Sequence, residues 1–456
     1  MKSKWPGAGA RHAGGEHSLA TAISLHRSGQ FVKARRIYQD ILTTNPDHVD
    51  ALHFLGVLYH QTGQSDRAVA SIERALTLAP GYADAWNNLG NVLRESNQLD
   101  AALRAYHRVV ELVPGHADAL NNLGVVLRGR GLYEEAESAY ARALESNPAH
   151  IAAWQNRGIV LARMNRPDEA VAAFKRVLEL KPGDSIANAE MGRVLYRNGR
   201  IEEAIVMYRE WLQSDPGNSI AQHMLAAFTG DAAPPRASDN YVRATFDSFA
   251  GSFDEVLDQL GYRAPGLIGE LLDRDLPAAD GSLMIADAGC GTGLCGEFLR
   301  PRAKRLVGID LSPGMLARAR TRGTYDDLVE AELSAWLGRQ RHAYDVIVSA
   351  DTLCYFGVLD AVVAAAANAL TPGGLFVFTV ERAAEDVRGF KLDSSGRYSH
   401  AGQYVRDSIA AAKLAVDALD PVVLRRERGQ DVAGWLVSAR RHPSVDPLDA
   451  ARAGGA

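Results

Sequence analysis

A repeat of 34 residues runs through the first half of the chain and constrains its fold more than any other feature. An alanine recurs at each step, at Ala34, Ala68, Ala102, Ala136, Ala170 and Ala204. A small residue lies 12 positions before each of these alanines, and a proline lies 12 positions after it. A small residue lets two helices approach closely, and a proline ends the helix before it. The pattern predicts about six stacked helical hairpins over residues 15–226.

These hairpins resemble the tetratricopeptide repeat. The segment WNNLG at 86–90 matches the pattern of its first helix, and a tyrosine, phenylalanine or isoleucine follows each recurring alanine by four positions in the second. Two positions depart from the pattern, with Ala22 where glycine is usual and Arg157 where leucine is usual. The resemblance implies an all-α solenoid whose concave groove binds a peptide or a partner protein.

Three asparagines recur at one position of the first helix, namely Asn88, Asn122 and Asn156. Because they are spaced one repeat apart, we expect their amides to form a ladder along the groove. Such a ladder would hydrogen-bond the backbone of an extended peptide. The alternative is that they are solvated polar positions beside the packing leucine.

The composition of the 456-residue chain is that of a globular protein of more than one domain, with 47% hydrophobic and 23% charged residues. A formal net charge of -5 gives no general attraction for nucleic acid, so no nucleic-acid partner is expected. No apolar run reaches the roughly 18 residues that a membrane span needs, and the first residues lack an apolar signal core. We therefore expect no membrane insertion and a cytoplasmic location. The oligomeric state stays open.

The number and spacing of the cysteines argue against disulfide bonds and against a metal site. The chain has three cysteines, Cys290, Cys295 and Cys354, and no CxxC pair. An odd count without paired spacing predicts reduced thiols rather than a disulfide framework, and it predicts no metal site.

The pattern changes after Pro216, where the 34-residue period stops and the small, polar stretch GDAAPPRASDN covers 230–240. We interpret residues 227–240 as a linker and expect residues 1–14 and 442–456 to be disordered. Between 241 and 441, short apolar segments alternate with helical ones, which predicts an α/β domain with a mostly parallel sheet. Seven strands are expected, at 283–287, 305–310, 327–330, 344–349, 374–380, 421–428 and 434–440. The last two form an antiparallel hairpin around Gly429, unlike a plain dinucleotide domain, whose strands are normally all parallel.

A glycine motif, DAGCGTG at 287–293, follows the first of these strands. Glycines there permit positive φ and let the backbone touch a ligand. The oxidoreductase fingerprint counted from Gly289 requires a glycine where this chain has Leu294, so a dinucleotide is disfavoured. Asp310 ends the second strand, 23 residues after Asp287, where a carboxylate can accept both hydroxyls of a ribose.

Together these residues resemble the class I S-adenosylmethionine-dependent methyltransferases over 241–441. The resemblance implies a Rossmann-like seven-stranded domain that binds S-adenosyl-L-methionine, with Asp287 near its amino group, Asp310 on the ribose and Glu332 near the adenine. The implied cofactor-binding residues are Asp287, Gly289, Cys290, Gly291, Gly293, Asp310, Leu311, Glu332 and Leu333. The segment at 246–265 resembles the N-terminal helix of bacterial methyltransferases that carry tetratricopeptide repeats, where it lies over the cofactor. The alternative is a helix whose phenylalanines only pack on the sheet.

Candidate catalytic residues follow the fourth strand, at the place where acceptor contacts occur in this superfamily. Asp351 is expected to orient or deprotonate the acceptor, and Tyr355 to wall the pocket; alternatively, Asp351 caps the next helix. His400 precedes a helix near Gln403 and is the third candidate, with a surface histidine as the alternative.

Three functions fit the sequence. The first is a methyltransferase whose repeats recruit a protein substrate or partner. The second is a small-molecule methyltransferase whose repeats serve assembly, and the third is a cofactor-binding scaffold without turnover. The intact Asp287, Gly289, Gly291 and Asp310 count against the third.

Overall fold

The 34-residue period produces a regular series of antiparallel helices in the computed structural model, which describes residues 13–231, 233–427 and 429–443. The chain divides between Asn198 and Gly199 into two compact units, here called the first and the second unit. The division falls within the sixth predicted repeat, earlier in the chain than the predicted linker. The disorder expected for residues 1–14 and 442–456 falls almost entirely outside the described residues.

Paired helices build the first unit. They are α1 (Ala13–Arg27), α2 (Phe31–Thr44), α3 (Val49–Gln61), α4 (Ser65–Leu78), α5 (Ala83–Glu95), α6 (Leu99–Leu112), α7 (Ala117–Gly129), α8 (Tyr133–Ser146), α9 (Ile151–Arg163), α10 (Pro167–Leu180) and α11 (Ser185–Arg197). The recurring alanines of this unit are fully buried, as the period predicts. A Cβ atom on Gly90 would lie 2.5 Å from the Tyr106 ring, so the two helices of that hairpin touch only because a glycine stands there.

The second unit begins with two helices in the 34-residue pattern and continues as an α/β domain. Its helices are α12 (Ile201–Ser214), α13 (Ser219–Thr229), α14 (Asp239–Phe249), α15 (Phe253–Gln259), α16 (Ala264–Asp275), α17 (Gly296–Leu299), α18 (Pro313–Arg322), α19 (Leu333–Leu337), α20 (Asp360–Ala369) and α21 (Gly402–Ala411). Its strands are β1 (Leu283–Ala288), β2 (Ala303–Asp310), β3 (Asp327–Glu330), β4 (Tyr344–Ser349), β5 (Leu370–Arg382), β6 (Phe390–Leu392), β7 (Tyr398–His400), β8 (Leu414–Glu427) and β9 (Gln430–Arg441).

One sheet holds these strands. Its parallel part has the order β3-β2-β1-β4-β5, and β9 lies antiparallel between β5 and β8. The predicted parallel sheet with an antiparallel hairpin at its end is therefore confirmed. The described residues give nine strands rather than seven, because β6 and β7 form a small hairpin whose strand β7 pairs with the end of β5. The carboxyl ends of β1, β2 and β4 meet at one edge of the sheet, where such folds bind ligands.

Helix α13 packs on this domain. Its His223 donates from Nε2 to the Gly396 carbonyl at 2.9 Å, and its ring lies 3.9 Å from that of Tyr241. Ala226 and Ala227 join the same apolar cluster as the β6 and β7 residues. The last helix of the repeat pattern thus forms part of the core of the second unit.

Residues 234–237, here called the strap, lie within the predicted linker. The Pro235 carbonyl accepts from the N–H groups of Gly357 and Val358 at 2.9 and 2.8 Å, and the Ala237 N–H donates to the Tyr355 carbonyl at 2.8 Å. The linker boundaries stay a prediction, but this part of the segment is bound to the domain. No helix in the described part of the chain has the length and apolar character that crossing a membrane requires.

Candidate cofactor and transfer site

The glycine loop, residues 289–293, folds back over the end of β2. Gly289, Gly291 and Gly293 have φ of +84°, +54° and +89°, a region that favours glycine. The N–H groups of Gly289 and Cys290 both donate to the Ile309 carbonyl, at 2.8 and 2.9 Å. A Cβ atom on Gly289 would collide with the Thr352 side chain. The motif therefore sets a loop whose backbone lies close to its neighbours on both sides.

Asp310 ends β2 beside this loop. Its carboxylate accepts from the N–H of Gly291 at 2.9 Å and from the N–H of Ser312 at 2.8 Å. Burial raises the pKa of Asp310, while these backbone donors act in the opposite direction. Each carboxylate oxygen has a second lone pair, so the two donors orient the group and leave it able to accept from two ribose hydroxyls.

Asp287 is the next-to-last residue of β1 and is 1% exposed. Its Oδ2 atom accepts from the Tyr325 hydroxyl at 2.6 Å, whereas Oδ1 is buried and has no hydrogen-bond partner among the described residues. Burial raises the pKa of Asp287 to about 7, although the Tyr325 hydrogen bond lowers it. A buried polar atom without a partner is costly, and an ammonium group placed there would satisfy it. The residues present therefore fit the amino group of S-adenosylmethionine.

Glu332 lies after β3, and its carboxylate is hydrogen-bonded to the start of the next helix. Its carboxylate accepts from the N–H groups of Ser334 and Ala335 at 3.1 and 2.7 Å and so caps the start of α19. Leu333 is 6% exposed and belongs to the core of the sheet. Both carboxylate oxygens accept from the cap and so orient the side chain, and a contact of Glu332 with adenine stays a prediction.

Helices α14 and α15, here called the lid, touch the loops of the cofactor site. Three hydrogen bonds join them to that site: Asp254 with Thr292 Oγ1 at 2.5 Å, Asp247 with the Gly314 N–H at 3.1 Å, and Arg243 Nε with the Leu311 carbonyl at 3.3 Å. Part of the segment at 246–265 therefore lies beside the glycine loop, and its position over a cofactor stays a prediction.

Asp351 follows β4 with φ of +50°, a left-handed conformation that costs a residue other than glycine about 1–3 kcal/mol. Arg425 Nη1 donates to both of its carboxylate oxygens, at 3.2 and 2.9 Å. The Asp351 N–H donates to Thr379 Oγ1 at 2.8 Å. Asp351 thus pairs with an arginine, and the helix-cap alternative does not describe it, because Leu359 is the N-cap residue of α20.

Arg425 is a residue of the candidate site that sequence reasoning missed. Its side chain is 1% exposed and pairs with Asp351, Glu381 and Glu427, and Glu427 also pairs with Arg397 at 2.7 Å. Although burial acts against it, these carboxylates raise the pKa of Arg425. Burial also raises the pKa of Glu427, but the two guanidinium groups outweigh it and lower that pKa to about 2. We call these five residues the charged cluster.

Tyr355 lies on the same loop as Asp351 and faces the lid. Its ring lies 5.4 Å from that of Phe246 in an edge-on arrangement, and Phe246 lies 6.0 Å from Phe253. Burial raises the pKa of Tyr355. The structure therefore places Tyr355 between the loop of Asp351 and the lid, and its role as the wall of an acceptor pocket stays a prediction.

His400 is placed differently from both sequence interpretations, because it is neither at the surface nor open to a pocket. The side chain is 0% exposed, and its Nε2 atom donates to the carbonyls of Phe356 and Gly357 at 2.8 and 3.3 Å. Burial lowers its pKa to about 4. A general base must reach the proton that it removes, and this imidazole is covered on all sides. The inward-facing position results from strand β7, which sequence reasoning did not predict.

The three asparagines of the first unit join neighbouring repeats. Their amide nitrogens donate to a residue of the preceding repeat: Asn88 to His53 Nε2 at 2.8 Å, Asn122 to Asn91 Oδ1 at 3.0 Å, and Asn156 to Asn121 Oδ1 at 3.0 Å. All three side chains are half-buried. Part of their hydrogen-bonding capacity is therefore used within the solenoid, and their role in binding a peptide stays a prediction.

Comparison with known proteins supports both parts of the chain. A profile described as a methyltransferase domain matches residues 286–376, and profiles of the tetratricopeptide repeat match residues 25–89, 87–151 and 161–228. A ubiquinone biosynthesis O-methyltransferase of Xylella fastidiosa is 29% identical over 33% of this chain and 65% of its own length. Human methyltransferase-like protein 27 is 42% identical over 18% of this chain and 34% of its own length. The chain thus spans less than two thirds of these relatives.

Two further proteins are similar to parts of this chain. A trans-aconitate 2-methyltransferase of Paracidovorax citrulli is 34% identical over 20% of this chain and 36% of its own length. Among solved structures, MamA is 30% identical over 35% of this chain and 94% of its own, with a TM-score of 0.33. The chain is a tetratricopeptide-repeat protein that carries a methyltransferase domain.

Proposed function

We propose that this protein is an S-adenosylmethionine-dependent methyltransferase whose repeats recruit a protein or peptide that is, or carries, the methyl acceptor. The unpaired buried oxygen of Asp287 is the observation that carries the proposal. It lies on the strand next to Asp310, with the glycine loop between them. A ligand that has both an ammonium group and a ribose satisfies both carboxylates.

When bound, the cofactor supplies a methyl group on a positively charged sulfur, which an acceptor atom can displace in line. Such a displacement needs mainly alignment and exclusion of water. Asp287 and Asp310 fix the two ends of the ligand, and the glycine loop allows the backbone to approach it. The lid covers this site through Asp254 and Asp247, which keeps bulk water away.

The acceptor side is built by Asp351 and Tyr355. Because Arg425 holds both oxygens of Asp351, this carboxylate is suited to orient an acceptor rather than to exchange a proton. Tyr355 supplies an aromatic wall between Asp351 and Phe246. The transfer we propose therefore depends on orientation by these two residues.

The acceptor cannot be carried over from the relatives, since their names alone point to different molecules. One is a ubiquinone biosynthesis enzyme and another acts on trans-aconitate. Recruitment of a protein or peptide is supported by the repeats, whose family commonly binds peptides along the concave groove. A small-molecule acceptor with repeats used for assembly is the alternative.

Incubation of the purified full-length protein with isotope-labelled S-adenosylmethionine and cell extract tests the proposal. Label in a protein band is the expected result, and label only in small molecules would contradict the recruiting role of the repeats. Asp310→Ala should abolish the labelling, whereas Asp407→Ala, which alters an exposed residue of α21, should not. Absence of labelling by the unaltered protein across several extracts would favour a scaffold without turnover.

A further inference from the structure

The loop that follows β4, residues 350–359, has two ends that are held by different groups. At its cofactor end, the Thr352 hydroxyl donates to the Gly289 carbonyl at 3.2 Å. A short 3-10 helix, Leu353–Tyr355, holds the middle of the loop through the N–H groups of Tyr355 and Phe356. At the far end, backbone groups of residues 356–359 also bond to side chains and to the strap. Tyr355 lies between the two ends, and its own carbonyl accepts from the Ala237 N–H of the strap at 2.8 Å. Its position therefore depends on how the strap and the far end are held.

His400 and Tyr404 hold the far end from one side. Nε2 of His400 donates to the Phe356 carbonyl at 2.8 Å, and the Tyr404 hydroxyl accepts from the Leu359 N–H at 3.0 Å. The two rings stack at 6.0 Å with an angle of 8° between their planes. A Cβ atom on Gly357 would lie 2.6 Å from the Phe390 ring, so the loop is pressed against this aromatic layer.

The strap holds the far end from the other side. Pro235 accepts from two N–H groups of the loop, and the Tyr398 hydroxyl donates to the Pro234 carbonyl at 2.7 Å. Tyr398 and His400 are both in strand β7, two residues apart, so they lie on the same face of that short strand. One strand therefore anchors the strap and the loop together.

The protonation state of His400 suits this role. Carbonyl oxygens only accept, so Nε2 carries the proton, and Nδ1 is buried without a partner among the described residues. A second proton on Nδ1 would find no acceptor, and the ring stays neutral with a fixed tautomer. A neutral imidazole that donates one well-defined hydrogen bond fixes a loop and leaves no lone pair open to a substrate.

We infer that His400 is a positioning residue for methyl transfer, which fixes Tyr355 against the lid by holding the far end of the loop, and does not touch the acceptor. This inference rests on the proposed methyltransferase function. Since Thr352 holds the cofactor end independently, loss of the His400 hydrogen bond should loosen Tyr355, which the strap still holds through its carbonyl, and should leave cofactor binding unchanged. Glutamine at this position restores the donor, because its amide nitrogen can occupy the place of Nε2.

The test uses the full chain with His400→Phe, His400→Gln and, as a control at an exposed histidine, His342→Asn. Amide hydrogen exchange of the peptide that spans 353–359 should quicken at least about tenfold in His400→Phe and stay within about threefold in His400→Gln. Affinity for S-adenosylmethionine, measured by calorimetry, should stay within about twofold in all three. Labelled methyl transfer into extract should fall at least about tenfold in His400→Phe and recover in His400→Gln.

Tyr404→Phe provides a second variant in case His400→Phe does not fold, since it removes only the hydroxyl that accepts from Leu359. It should quicken exchange in the same peptide. Unchanged exchange in both variants, or quickened exchange with unchanged transfer, would overturn the inference. So would equal behaviour of the Phe and Gln variants at position 400. Failure of the unaltered protein to bind S-adenosylmethionine would instead overturn the proposed function, so the two failures are distinguishable.

Discussion

The two units bury polar groups in opposite ways. In the first unit the buried polar side chains discussed above are mostly neutral, and they join neighbouring repeats by similar hydrogen bonds, as Asn122 does with Asn91 and Asn156 with Asn121. The second unit also concentrates charged groups with low exposure at one place, where Arg425 pairs with three carboxylates at the carboxyl edge of the sheet. The first arrangement spreads small contributions along the solenoid. The second makes one site depend strongly on one side chain.

The difference in how the two units bury polar groups matches the role proposed for each unit. A repeat needs the same modest contact with each neighbour, and losing one contact leaves the others in place. A transfer site needs a few groups in fixed orientation, and charged pairs with low exposure provide it at a high desolvation cost. The comparison predicts large mutational effects around Arg425 and small effects at single ladder positions.

The largest expected effect is that of Arg425→Met. This change keeps much of the side-chain volume but leaves Asp351, Glu381 and Glu427 without their shared partner, which should lower the free energy of unfolding by about 3–5 kcal/mol. Urea denaturation of the second-unit transition measures it. Arg440→Met removes a half-exposed pair with Asp417 and should cost less than about 1 kcal/mol. Equal losses of unfolding free energy in Arg425→Met and Arg440→Met would contradict a larger contribution of the charged cluster to stability.

The free energy of unfolding of both units should depend on pH, because each unit buries a histidine. Burial lowers the pKa of His53 in the first unit and of His400 in the second from 6.5 to about 4. The unfolded chain binds a proton below pH 6.5 and the folded chain does not until about pH 4, so stability is present above pH 6.5 and is lost as the pH falls through this window. Each histidine should contribute a loss of about 2 kcal/mol between pH 7 and 5.

Urea denaturation at pH 7 and pH 5 measures this loss, with His53→Gln as the comparison. The variant should lose about 2 kcal/mol less than the unaltered protein over this range, because glutamine does not titrate. An identical pH dependence in both proteins would mean that the pKa of His53 is the same in the folded and in the unfolded chain.

The smallest expected effect is that of Asn122→Ala. Its partner Asn91 keeps a hydrogen bond from the Tyr106 hydroxyl at 2.8 Å, so the loss should be only about 1 kcal/mol. Asn88→Ala should cost more, because it leaves Nε2 of the buried His53 unpaired. Thermal unfolding compares the two. Because Asn122→Ala should destabilise the chain less than Asn88→Ala, it is the better variant for pull-downs. A change in the proteins that it captures would report on the groove rather than on folding.

Much of the fold follows from local patterns in the sequence. The bounds of β3 and β4 agree with the predicted 327–330 and 344–349, because each is a short apolar segment between turn residues. The recurring glycines and alanines predict the repeat helices, since each repeat meets the same neighbours. Strands β6 and β7 were missed, because three residues are too few to show a period of two.

The site was predictable only in part. The glycine loop and the two aspartates are local features, so their place at the carboxyl edge of β1 and β2 could be predicted from sequence, and their contacts with a cofactor stay a prediction. The partner of Asp351 could not be predicted, because Arg425 lies 74 residues away, and its only signal is its alternation with the exposed Arg426 in β8. His400 has partners that depend on packing, so its residue type alone was misleading, whereas the contact of Glu332 with adenine stays a prediction.

Calorimetry with S-adenosylmethionine tests the central claim most directly. The unaltered protein should bind the cofactor, and Asp310→Ala should weaken binding by about 2–4 kcal/mol, roughly 30- to 1000-fold in Kd, because two hydrogen bonds to a carboxylate are lost. Asp407→Ala should bind as the unaltered protein does. Equal affinity of Asp310→Ala and the unaltered protein would contradict the assignment of the cofactor to the edge formed by β1 and β2.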